Sequence, residues 1–406
     1  VDKPEAALPE AHLDTLAVHA GRLELPTNPA SGPPLFQASS YEFSDLDEVE
    51  AVYAGAAAGR IYGRYGGPNG AQFESAMAAL EGAEAAAGAA SGMAAIDAAL
   101  GTLLRPGDVL LAGRELYGGT YTLVENDYRQ AGVDVHFVDQ TDLQAVSVAL
   151  SRLRPKVLYV EALTNPLIGV ADVPALAAAA RAAGAAVVVD ATFATPVLFR
   201  PLEHGADLVV HSVGKYLGGH GDVGAGILAG RADLVASARS RLVRRGATIP
   251  HFEAWLAVRG LRTLALRMER HSANARVLAA FLAARPEVER AYHPSLLEHP
   301  QHALAERLYP RGTGGMLAFD LRGGRDAVDA FLRGLRTIAI VHSLGEVATT
   351  ISHPPSASHR MLDGGARAAL GVGDGTLRLS AGIEDVRDIA DDLASAFAGL
   401  DGRARA

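Results

Sequence analysis

The chain has no cysteine, which excludes disulfide frameworks, thiolate zinc sites and cysteine nucleophiles. That absence fits a reducing cytoplasm, and a cytoplasmic location is expected. Lysine is nearly as scarce. Only Lys3, Lys156 and Lys215 occur in 406 residues, so any lysine chemistry has few candidates. Long apolar runs are also missing. The alanine-rich stretch 85–104 is interrupted by Gly88, Gly92 and Asp97, and it reads as a buried helix preceded by a turn, not a membrane span. Residues 1–10 carry proline and charge without an apolar centre and do not read as a signal peptide. The formal charge of −9 comes without a dense basic patch, so neither nucleic acid nor membrane is an expected partner. What remains is the composition of a soluble globular protein, long enough for two or three domains.

Three regions differ in pattern. Residues 1–65 contain Pro26, Pro29, Pro33 and Pro34, which oppose regular helix, and 61–70 reads as an exposed loop. This segment is expected to be an arm contacting a neighbouring subunit. From about 66 to 262, short apolar runs at 109–112, 133–138, 157–160, 186–189, 208–210 and 225–228 alternate with alanine-rich or amphipathic stretches. Asp172, Pro174 and Gly184 cap and close one intervening helix. Strands apolar on both faces and separated by helices predict an α/β domain with a mostly parallel sheet. A long helical stretch follows at 261–282. The remainder, 263–406, reads as a smaller C-terminal α/β domain with strands near 316–320, 338–341 and 377–380.

Ligands of such sheets lie beyond the carboxyl ends of strands. Two strand ends carry charge. Asp190 ends the run Val187-Val188-Val189, where it either caps or orders a loop, or pairs with a buried cation such as a protonated pyridine nitrogen. Lys215 follows Leu208-Val209-Val210-His211-Ser212, either as a solvated lysine or as one whose lowered pKa suits Schiff-base chemistry. Ser91-Gly92-Met93 opens a helix after a glycine turn and is either a plain cap or a phosphate site. Gly219, Gly221 and Gly224 spell the dinucleotide fingerprint, but a further strand follows where a helix is needed. His299 and His302 share a helical spacing without a third ligand, so no metal is expected.

Taken in order, the blocks Tyr62-Gly-Arg64, Ser91-Gly-Met-Ala-Ala, Tyr117-Gly-Gly-Thr120, Thr164-Asn-Pro166, Asp190-Ala-Thr-Phe-Ala-Thr-Pro196, 211–226, Ser343-Leu-Gly345, 353–359 and 378–384 resemble the Cys/Met-metabolism family of pyridoxal-phosphate enzymes. The resemblance implies a fold-type I homotetramer of two tight dimers, with active sites shared across each dimer. Lys215 would form the Schiff base with pyridoxal 5'-phosphate. Tyr62 and Arg64 of a neighbouring subunit would grip the phosphate with Gly92, Met93 and Ser212. Tyr117 would stack on the ring, Asp190 would pair with its nitrogen, and Thr192 would lie beside it. Asn165, Ser343 and Arg378 would hold the α-carboxylate of a small amino-acid substrate. Freed Lys215 would move the Cα proton, and Tyr117 would assist amine exchange or protonate the leaving group.

The implied reaction is γ-elimination of the cystathionine γ-lyase type, giving 2-oxobutanoate, ammonia and a thiol. Alternatives are γ-replacement, as in cystathionine γ-synthase or an O-acylhomoserine sulfhydrylase, and methionine γ-lyase activity. Some positions depart from the family pattern. Gly214 replaces a threonine that contacts phosphate, Gly63 a serine, and Ala191 an asparagine. Glu161-Ala-Leu-Thr-Asn-Pro166 is also atypical. Gly119 stands where methionine γ-lyases usually have cysteine. Ala348 stands where cystathionine-processing members have a glutamate that reads the distal ammonium, with Glu346 two residues earlier.

Overall fold

The computed structural model describes residues 11–22, 30–360 and 364–403. Seven strands form the larger sheet: β1 (Ala85–Ala89), β2 (Val109–Gly113), β3 (Asp134–Val138), β4 (Val157–Glu161), β5 (Ala186–Asp190), β6 (Leu208–Ser212) and β7 (Gly226–Gly230). Their order is β1-β7-β6-β5-β4-β2-β3, and only β7 runs against its neighbours. Val157, Leu158, Tyr159 and Val160 are fully buried, as expected for a strand covered by helices on both faces. One apolar core lies on each face of this sheet. A third surrounds a five-stranded sheet of β8 (Val288–Tyr292), β9 (Met316–Leu321), β10 (Ala339–Ile340), β11 (Thr350–Ser352) and β12 (Thr376–Ser380), ordered β10-β11-β12-β9-β8. It is antiparallel except for the β10–β11 pair. Among the described residues, no helix is long and apolar enough to cross a membrane.

The architecture matches the α/β expectation, with local corrections. Ala85–Ala89 is a strand, not the start of a helix. Alanine and glycine are poor strand formers, but here they pair along their whole length with β7. The helix that follows, Gly92–Leu103, begins at Ser91, whose Oγ accepts the N–H of Ala94 at 3.1 Å. The 61–70 segment is only partly a loop, because the helix Pro68–Glu81 starts inside it and buries Asn69 and Gly70. Proline at the first helical position costs no hydrogen bond there. The Asn69 side chain then clasps the extended segment before it, bonding Phe36 N and Pro34 O.

The proline-containing region also holds two short helices, Leu13–His19 and Leu46–Tyr53, while Pro26 and Pro29 lie outside the described residues. The long helix expected at 261–282 runs from Leu264 to Ala283, and a separate helix, His251–Leu261, precedes it. His299 precedes the helix His302–Leu308, so the two histidines do not share a helical face. His299 Nδ1 accepts the N–H of Gln301, and His302 Nδ1 donates to Pro294 O.

Candidate active site

The carboxyl ends of β4, β5 and β6 open onto a cavity of about 260 Å³. Its lining includes Gly92, Met93, Tyr117, Asn165, Asp190, Thr192, Ser212, Lys215 and Arg378. An adjoining depression shares Ser91, Gly92, Ser212 and Lys215 and adds Gly214, Ser343 and Glu346. Ten of the twelve residues singled out from the sequence therefore converge. Tyr62 and Arg64 line neither space. Tyr62 is about half exposed, and Arg64 donates to Val243 O at 2.9 Å while lying over the Tyr65 ring.

Lys215 sits in a tight turn, Val213–Leu217, directly after β6. A buried arginine holds that turn. Arg267 donates to Tyr216 O at 2.6 Å and to Gly260 O at 2.8 Å. Gly219, at φ +74°, passes the guanidinium so closely that a Cβ would overlap it, which accounts for one glycine of the false dinucleotide motif. The Lys215 Nζ donates to Ser343 Oγ at 3.0 Å. Burial lowers its proton affinity, and the Arg378 charge lowers it further, against an opposing pull from Glu346. An amine so tuned is neutral more often than an exposed lysine and serves as nucleophile or base.

Arg378 lies on β12, in the other sheet, and is 4% exposed. Burial depresses its guanidinium to about 10. Its Nη1 donates to Asn165 Oδ1 at 3.0 Å, leaving further donors to meet a carboxylate. Asp190 ends β5 and accepts from Thr192 N at 2.9 Å and from the Tyr159 hydroxyl at 3.4 Å. Thr192 Oγ1 in turn accepts the N–H of Ser212 at 2.9 Å. Burial raises the Asp190 carboxyl above its ordinary range. No ion pair reaches it among the described residues.

These features fit pyridoxal phosphate. A half-buried strand-end carboxyl on the cavity wall has no ion-pair partner among the described residues, and a protonated ring nitrogen supplies one. Gly92 and Met93 open a helix against the cavity wall, where free N–H groups suit a phosphate. A side chain at Gly92 would stand 2.9 Å from Ser212 Cβ and close that wall.

Several residues here were not singled out from sequence. His342, Leu344 and Ser358 line the cavity. Glu161 also lines it and accepts the backbone N–H of Tyr117 at 2.6 Å. Its only sequence signal was its place at the head of the atypical Asn-Pro block. Gly119 lies against Tyr117, since a Cβ there would be 2.5 Å from the ring edge and 3.1 Å from Met93 Sδ. Ala348 is exposed and lines neither space.

The model of the family described as "Cys/Met metabolism PLP-dependent enzyme" matches residues 14–398. An O-succinylhomoserine sulfhydrylase of Pseudomonas aeruginosa is 40% identical, over 98% of both chains. An L-methionine gamma-lyase of Pseudomonas putida is 42% identical, over 94% of this chain and 96% of its own. Among solved structures, cystathionine gamma synthase from Xanthomonas oryzae pv. oryzae, in complex with aminoacrylate and cysteine, superposes with a TM-score of 0.91 at 36% identity. That likeness covers 97% of this chain and 99% of the other. The chain therefore belongs to the Cys/Met metabolism pyridoxal-phosphate-dependent enzymes, the lyases and transferases of sulfur amino acids.

Proposed function

We propose that the protein is a carbon–sulfur γ-lyase of the cystathionine γ-lyase type, releasing 2-oxobutanoate, ammonia and a thiol from a γ-thio-substituted L-amino acid. The bond of Lys215 to Ser343, beside the cavity that Lys215 and Arg378 both line, carries this reading. Pyridoxal phosphate, when bound, supplies an electron sink for negative charge developing at the substrate carbons. Asp190 would hold its ring nitrogen, with Thr192 beside the ring and Tyr117 stacked on it. Gly92, Met93 and Ser212 would hold its phosphate. Tyr62 and Arg64 would be supplied by a neighbouring subunit, with residues 1–65 as the arm, 66–262 as the cofactor domain and 263–406 as the small domain. A cytoplasmic homotetramer is the corresponding assembly.

Arg378 and Asn165 grip the α-carboxylate, turning the Cα–H toward Lys215. Lys215, with its proton affinity lowered by burial, withdraws that proton, and Ser343 Oγ at 3.0 Å steadies the amine between transfers. Tyr117 protonates the departing sulfur.

A second reading is γ-replacement on an O-acylhomoserine. Ala348 favours it, because no carboxylate at that position receives a distal ammonium, and the similarity to a sulfhydrylase agrees. Methionine γ-lyase activity is third. A relative of that name is 42% identical, but Gly119 stands in place of the cysteine usual at that position. The test is incubation of the cofactor-loaded protein with cystathionine, methionine and O-acetylhomoserine, each with and without a thiol. Formation of 2-oxobutanoate without added thiol supports the lyase. Thioether formation without keto acid overturns it.

A further inference from the structure

Strands β4 and β5 run parallel and end side by side, so Glu161 is the register partner of Asp190. Both carboxyls line the cavity, yet their partners differ. Asp190 is bonded within its own turn, through Thr192. Glu161 reaches a separate connection. Its Oε1 accepts the backbone N–H of Tyr117 at 2.6 Å, in the segment after β2. Asn165 lies on the segment that Glu161 itself begins, and there the Thr164 hydroxyl reaches back to the same connection, donating to Glu115 Oε2 at 2.8 Å.

Glu161 is itself firmly held. The Gln140 amide donates to Glu161 O at 2.6 Å and accepts the Glu161 N–H at 3.1 Å. Gln140 is 1% exposed and occupies the space beside Gly113, where a Cβ would overlap its oxygen. A buried side chain fixed at its backbone and bonded to the Tyr117 N–H leaves that segment little freedom relative to β4.

We infer that Glu161 is a positioning residue, tying the Tyr117 segment to the Asn165 segment so that the ring-stacking and carboxylate-binding sides of the cavity keep one spacing. This rests on the roles proposed above for Tyr117 and Asn165. A carboxylate oxygen accepts an N–H more strongly than an amide oxygen does, so glutamine in its place weakens the bond to Tyr117 while keeping the shape. Burial, with Asp190 alongside, raises the Glu161 carboxyl above its ordinary range, and the Tyr117 N–H opposes that rise.

The test compares wild type with Glu161→Gln and Glu161→Asp as cofactor-loaded proteins. It reads hydrogen–deuterium exchange at the Tyr117 amide alongside kcat and KM for the preferred substrate. In Glu161→Gln the Tyr117 amide should exchange about tenfold faster or more, with kcat lowered about tenfold and KM raised. Glu161→Asp keeps the carboxylate but shortens its reach, so its exchange and kcat should fall between the two. It carries the test if the glutamine variant does not fold. Unchanged exchange at the Tyr117 amide overturns the tie. Faster exchange with wild-type kcat and KM overturns the positioning role. Wild-type kinetics in Tyr117→Phe and Asn165→Ala would instead overturn the roles on which the inference depends.

Discussion

Arg378 of the smaller sheet donates to Asn165, just beyond the carboxyl end of β4 in the larger one, across 213 residues of sequence and 3.0 Å of space. That bond closes the cavity between the two sheets and aims a buried guanidinium into it. Arg378→Lys should keep a positive charge but lose the planar fork that meets a carboxylate on two sides. The expected result is a fall in kcat/KM of about a hundredfold, close to 3 kcal/mol, mostly through KM. Steady-state kinetics check this. An unchanged KM would remove Arg378 from carboxylate binding.

Gly119 and Tyr117 are in contact, and the missing Cβ is what permits it. Adding a methyl group with Gly119→Ala forces the ring or Met93 aside. Displacing a stacked aromatic costs about 1 kcal/mol, so kcat should fall severalfold, with an altered absorption spectrum of the loaded protein. Wild-type turnover with an unaltered spectrum would contradict the packing described.

Gly214 lacks the side chain usual in the family, and its surroundings explain why restoring one is not free. A Cβ there would stand 2.5 Å from the Val223 carbonyl oxygen, a backbone atom that moves only with its loop. Gly214→Thr should lower the melting temperature, at a cost of about 1–3 kcal/mol, without tightening cofactor binding. Thermal melts and cofactor titration of the apoprotein test this. Tighter binding at an undiminished melting temperature would show that the loop adapts.

His293 is buried between Ser295 and Thr313, and burial pushes it down to about 3. Its ordinary value is 6.5, so the unfolded chain binds a proton that the folded chain refuses as pH falls below that value. The associated stability is fully present above about 6.5 and is lost as pH falls toward the folded value. Between pH 7 and 5, wild type should lose about 2 kcal/mol relative to His293→Gln, which has no such proton to refuse. Urea unfolding at the two pH values measures the difference. Parallel pH dependence of the two proteins would contradict it.

How much was legible in the sequence depended on how far apart the interacting parts lie. Asp190 and Lys215 could be singled out because each directly follows its own apolar strand, and lysine is rare. The parallel sheet was legible because its strands are apolar on both faces. The Ala85–Ala89 strand was not, because its pairing with the distant β7, from Ala85↔Gly230 to Ala89↔Gly226, supplies what local propensity lacks. Glu161, Gln140 and Arg267 escaped for a related reason. Each works on the backbone of a remote segment, and backbone contacts leave no residue-type signature at the receiving end. Gly219 shows the converse, since one glycine of a run that spells the dinucleotide fingerprint is explained by a buried arginine packed against it.

The scarcity of lysine makes the central claim directly measurable. Borohydride reduction of the loaded protein, followed by digestion and mass spectrometry, locates the lysine that carries the cofactor. A pyridoxyl modification is expected on the peptide containing Lys215 and none at Lys3 or Lys156, with the modification abolished in Lys215→Ala. A modification at Lys156 or Lys3, or a reducible bond that survives in Lys215→Ala, would contradict it.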